Sequence, residues 1–246
     1  VRLREEPLVL DGLGTFAGGQ YWPLELTGLV GTRSYYSHDF VVTERRRGGT
    51  MTELQKKRRA AYEERLGRPD PKGLTSDVQE LLRTNLPAQG RIQLRTDEKS
   101  EYRTALKRLQ QPEVEHSTTH SKAPRTAKNP LFAINAHHMF VRHSGANHKR
   151  ETVAFSKRIQ AVIHRHAIFQ VWRNLVKAAS ERKPTKGTPA QRLGITEAPW
   201  TVGRVLRTRL FPRRIELPER VLRSYRGENL SRFVRRERAH RPRRAY

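Results

Sequence analysis

The chain has 246 residues, with 50 lysines and arginines against 24 acids and a formal net charge of +26. That length suits one large domain, or one domain with extensions, and the cationic excess favours a polyanionic partner, with counterion release supplying much of the affinity. The absence of cysteine excludes disulfides and cysteine-based zinc fingers.

No apolar run approaches the roughly 20 residues of a membrane span, and no charged-then-apolar leader opens the chain. A reducing, intracellular compartment is therefore expected. Hydrophobic residues make up 35%, and mean hydropathy is −0.82, so the core is real but not generous.

Leu8-Val9-Leu10 is a short β-type run, followed by Asp11 and then Gly12-Leu13-Gly14, which is expected to turn the chain. A carboxylate where a buried strand meets a glycine turn is well placed to hold a metal, although Asp-Gly is also a common turn pair. Residues 21–43 read as a β-hairpin, with Trp22 to Val30 in one strand and Ser34 to Val42 in the other. Thr52-x-x-Gln55 is a capping box opening a helix to about Leu66, ended by Gly67. Ser76-x-x-Gln79 opens a second helix, with Val78, Leu81 and Leu82 on one face and Pro87 past its end.

In Arg91–Asp97, Ile92, Leu94 and Thr96 alternate with polar residues, which predicts a strand buried on one face with Asp97 at its C-terminal end. Tyr102, Leu106 and Leu109 fit one face of a short helix, Val114 lies in a short strand, and residues 117–130 read as a basic loop. From Asn129 to Lys157 the sequence predicts an amphipathic helix. It opens with Asn-Pro, carries Phe132, Ile134, Met139, Phe140 and Val141, and exits in a cationic run. A second periodic segment spans Ile159 to Val176. Beyond Pro184 and Gly187 periodicity fades: a small helix around Trp200 to Leu210 is expected, and an arginine-rich, partly extended C-terminus. The division follows: residues 1–183 as a catalytic-type domain and 184–246 as a basic extension.

The order strand, hairpin, helices, strand, helix, short strand, long helix is that of an RNase H-like α/β fold, a mixed sheet flanked by helices. There, two aspartates at the ends of the first and fourth strands are brought together, and a helix supplies a third ligand. Such a site holds two divalent cations about 4 Å apart and promotes in-line attack on a phosphodiester. Oxygen ligands suit Mg²⁺ or Mn²⁺.

Three stretches then carry a family resemblance: LVLDGLGTF, RIQLRTDEKSEYRTAL, and INAHHMFVRH followed by KRETVAFSKR. Over roughly residues 5–180 the chain resembles the catalytic part of the DDE transposases of small bacterial insertion sequences. The resemblance implies that Asp11 and Asp97 are the first two catalytic acids, and it places Asn135, after Ile134, where the third acid stands. Asparagine offers a carbonyl oxygen but no charge. Glu151 lies roughly 24 Å further on if the helix is continuous, Glu98 points to the opposite face of its strand, and His138 shares the face of Asn135 and is the best substitute ligand. His116, His120, His137, His143, His148, His164 and His166 match no zinc spacing.

The resemblance also implies that Lys149, Arg150, Lys157 and Arg158 grip transposon-end DNA, with Lys122, Arg125 and Lys128 as a second contact through phosphates rather than base edges. It implies magnesium-dependent cleavage and joining of DNA, transposon ends and target DNA as partners, action as a dimer or larger assembly, and a bacterial, nucleoid-associated cytoplasmic setting. Two rivals remain at this point. A fold that has lost its chemistry would be a nucleic-acid-binding protein, as Asn135 suggests, and charge and tail alone fit a ribosome-associated or RNA-packaging protein.

Overall fold

The computed structural model describes residues 6–87, 89–109, 113–209 and 214–233. Strand β1 (Leu8–Phe16) and strands β2 (Pro23–Gly31) and β3 (Ser37–Glu44) form an antiparallel meander. Helices α1 (Glu53–Leu66) and α2 (Gly73–Asn85) follow, then β4 (Arg91–Asp97), α3 (Ser100–Lys107) and β5 (Glu113–Thr119). Helix α4 (Phe132–Ser144) and helix α5 (Ile159–Val171) complete the body, and a π-helical turn (Trp172–Val176) continues the latter. Past it come three short helices, α6 (Pro189–Arg192), α7 (Val202–Arg207) and α8 (Glu219–Arg226). No described helix is long and apolar enough to cross a membrane.

The sheet runs in the order β3-β2-β1-β4-β5. Strand β1 pairs in parallel with β4, and β4 with β5, so β2 alone runs against the rest. This is the RNase H-like arrangement. Because successive side chains on a strand point to opposite faces, β1 feeds two cores. Leu8 and Leu10 pack with Leu94, Val78, Leu81 and Tyr102, beneath α2 and α3. Val9 and Leu13 point the other way, to Ile134 of α4 and to Val141 and Val162 of α4 and α5. The central strand is thus buried on both sides, as its apolar run requires.

Several elements lie where the sequence puts them. The capping box at Thr52 opens α1, with both reciprocal bonds made to Gln55, and Gly67 closes it in a positive-φ conformation. The hairpin is β2–β3, and Arg91–Asp97 is a strand. Helix α2 starts three residues before the expected capping box, so that Leu74 and Thr75 also bury.

Two expectations are corrected. Gly12-Leu13-Gly14 does not turn the chain: β1 continues through it to Phe16, and the turn is made by residues 17–22. Gly12 serves a close approach instead, because a Cβ there would overlap the carboxylate of Glu25 on β2. The stretch from Asn129 to Lys157 is not one helix. Its helix begins at Phe132, Asn129 caps the preceding turn by accepting from the Leu131 N–H at 2.8 Å, and Gly145 ends it. The chain then folds back through residues 149–158 to meet β1, with Ser156 bridged to Ala17. The described residues of the basic tail form short helices and turns, and residues 210–213, into which the expected helix around Trp200 to Leu210 reaches, and 234–246, including its last arginines, lie outside the described residues.

Candidate active site

Asp11 lies in the middle of β1, on the face that Val9 and Leu13 share, and so looks toward α4. Asp97 closes β4, on the face opposite Ile92 and Leu94, which is again the α4 side. The parallel register aligns Leu8 with Leu94 and Val9 with Arg95, and the same offset brings Asp11 abreast of Asp97. Two carboxylates on neighbouring strands therefore face one space under α4.

Their electrostatics reflect that crowding. The Asp11 carboxyl is pushed up to about 6, first by burial and then by the negative charge of Asp97, with a smaller push from Glu25. The Gly12 N–H, which donates to Asp11 Oδ1 at 2.7 Å, and the Lys99 ammonium pull the other way without cancelling it. Asp97 Oδ1 accepts from the Lys99 backbone N–H at 3.0 Å.

From α4, His138 brings its Nδ1 within 3.8 Å of Asp11 Oδ2. Burial holds the His138 ring neutral, with its pKa lowered to about 3, so this is a polar contact and not an ion pair. His138 therefore reaches the Asp11 carboxylate from α4. The Asn135 side chain makes no hydrogen bond to either aspartate. Because α4 ends at Gly145, Glu151 does not lie along a continuous helix: it stands exposed in the returning loop, in a left-handed backbone conformation.

Glu25 was not singled out in the sequence. It lies beneath Gly12, on the α3 side of the sheet, where its carboxylate is buried. Lys99 Nζ reaches Glu25 Oε1 at 2.6 Å, the Tyr102 hydroxyl donates to the same oxygen at 3.2 Å, and Arg45 Nε approaches Oε2 at 3.6 Å. The one available signal was an acid standing in an otherwise apolar strand, PLELTGLVG. Lys99 thus links the two sides of the sheet, with its backbone on Asp97 and its ammonium on Glu25.

The histidines form a second unforeseen feature. His137, His138, His148 and His166 pack ring against ring, with centroids 5.6 Å apart for His137–His166 and 6.4 Å for His148–His166. All four are buried, and both nitrogens of His166 and the Nε2 atoms of the other three lack hydrogen-bond partners among the described residues. Burial is the first cause lowering each of their pKa values. Spacing could not reveal the group, because it draws on α4, the turn after it and α5.

Among the described residues, no three His, Asp or Glu side chains are arranged as a metal cage. The donor set nonetheless fits a hard cation: paired carboxylates, one of them with a raised pKa, form a site short of positive charge, and Mg²⁺ is commonly held by one or two carboxylates, waters and substrate phosphates. Basic residues lie on the loops before and after α4. Lys122, Arg125 and Lys128 are exposed on the loop entering α4, and Arg125 is close enough to His138 to help keep that ring neutral. Lys149, Arg150 and Lys157 are exposed on the loop leaving α4, and Arg158 is half-buried. Comparison with known proteins finds no family model and no curated protein that matches the chain.

Proposed function

We propose that the chain is a DDE-type transposase that cleaves and joins DNA strands with Mg²⁺ or Mn²⁺. The observation that carries this reading is the pairing of Asp11 and Asp97 on adjacent parallel strands of an RNase H-like sheet, with Asp11 pushed up to about 6. Asp11 and Asp97 would hold the cation, with His138 beside them. When bound, it supplies Lewis-acid activation of the attacking water or 3′-hydroxyl and charge stabilisation at the phosphorus. The exposed cations on the two loops flanking α4 would carry the DNA backbone past the carboxylates, through phosphate contacts.

The test is metal-dependent nicking and strand transfer on DNA, paired with Mn²⁺ binding by calorimetry. Asp11→Asn and Asp97→Asn should each abolish cleavage and weaken metal binding. Full activity in both variants would refute the assignment. Asn135 and the lack of a third converging ligand favour a second reading, a transposase descendant that grips nucleic acid without cutting it. Salt-sensitive DNA binding with no metal effect and no cleavage would support that one, and cleavage gained in Asn135→Glu would support it further.

A further inference from the structure

On the same side of the sheet as the carboxylate pair, a concavity of about 390 Å³ opens between the end of α4, the turn after it and α5. Ile168, Phe169 and Trp172 line one side and Val141 another. Phe169 and Trp172 lie with ring centroids 6.0 Å apart. The polar lining includes Asn147 and His148. The His148 ring is buried, its Nδ1 is 3.3 Å from Thr15 Oγ1, and its Nε2 lacks a partner among the described residues.

Arg165 lines the opening, Lys149 and Arg150 follow His148 directly and are exposed, and no acid is among the lining residues. Thr15 shares a strand face with Asp11 four residues away, roughly 13 Å along β1, which is about four nucleotide steps of a duplex strand. An apolar slot with aromatic walls and an arginine at its opening matches one chemistry well: a flat heteroaromatic ring attached to phosphate.

We propose that this concavity receives one unpaired nucleobase of the nucleic acid whose backbone rests on Lys149, Arg150 and Arg165. The base stacks against Trp172 and Phe169, and the exposed Arg165 at the opening meets its phosphate. The inference rests on the reading of nucleic acid as partner and adds to it a preference for a strand with a displaced base.

The experiment uses the full chain in EDTA, where no cleavage occurs, with fluorescence anisotropy on three labelled DNAs: a duplex, the same duplex with a one-nucleotide bulge, and the same bulge lacking its base. A stacked base contributes about 5- to 150-fold in affinity, so the bulge should bind at least fivefold tighter than the other two. Trp172→Ala should remove that preference, as should Ala146→Phe, which plugs the slot from an exposed position. Both should leave duplex affinity unchanged, and Trp172→Phe should retain most of the preference. Lys149→Ala should weaken all three DNAs alike. Equal binding of the bulge with and without its base overturns the inference, as does a preference that survives Ala146→Phe, while duplex binding stands. Failure of all three DNAs to bind overturns the nucleic-acid reading as well.

Discussion

Lowering the pH should unfold this protein through its buried histidines. His137 and His138 have pKa values lowered to about 3, His148 to about 4, and His166 well below its ordinary 6.5. Arg142, Arg165 and Arg173 press on the group from outside, and Asp11 touches it at His138. Each ring stays neutral in the folded chain but binds a proton in the unfolded chain below pH 6.5, so the stability each contributes is complete above 6.5 and is lost as pH falls toward 3–4. Asp11 works in the opposite sense. Its folded pKa of about 6 exceeds 3.8, so between these values the folded chain holds one extra proton, and Asp77, also pushed up by burial, acts likewise. His38, buried apart from the group, is lowered to about 4 as well, so five protons less one or two leaves three to four taken up on unfolding near pH 5. At 1.36 kcal/mol per proton per pH unit, stability should fall by about 4–5 kcal/mol per unit. Between pH 6.5 and 5 that removes ~6–8 kcal/mol, comparable with the whole stability of a domain, about 5–15 kcal/mol. Urea unfolding followed by circular dichroism at half-unit steps from pH 7.5 measures the slope. His166→Phe, which replaces a ring already packed against Phe40 and Phe169, should remove about one proton from it and be more stable than the parent at pH 5. A slope below ~1 kcal/mol per unit would show that the rings are not held neutral.

Three further outcomes are expected. Gly12→Ala should cost about 1–3 kcal/mol, because its Cβ drives into the Glu25 carboxylate, and should lower the melting temperature by several degrees. Lys99→Met should cost about 2 kcal/mol by leaving the buried Glu25 carboxylate to Tyr102 and the more distant Arg45, and adding Glu25→Gln should recover much of the loss in a double-mutant cycle. Asp97→Asn should lower the Asp11 pKa from about 6, since the Asp97 charge is its second cause. Carbon-13 NMR titration of the Asp11 carboxyl reads this directly, and an unmoved titration would mean that the two acids do not face one space.

Much of the sheet was readable in the sequence because it rests on local signals. Alternation in Arg91–Asp97, the hairpin residues and the capping box at Thr52 each depend on near neighbours. What could not be read depends on distant partners. Gly12 looked like a turn residue because nothing adjacent announces that Glu25, across the antiparallel ladder, needs its space. The end of α4 at Gly145 was missed because the apolar and basic residues beyond it keep a helix-compatible spacing, while the backbone there is held by Ser156 returning to β1. Glu25 and the histidine group are products of three elements meeting, and no window along the chain contains them.

The parallel register between β1 and β4 also orders events in time. Asp11 and Asp97 are roughly 86 residues apart in the chain, and their strands meet with the meander and two helices lying between them in sequence. On a ribosome adding about 5–20 residues per second, Asp11 emerges several seconds before its partner. Until then the meander can form by itself, but the β1 edge that β4 will occupy is left open. The paired carboxylates are therefore assembled only when the most non-local pairing of the sheet closes, the slow class of contact in folding. A nascent chain that has not yet extended through β4 would carry the first acid but have no site.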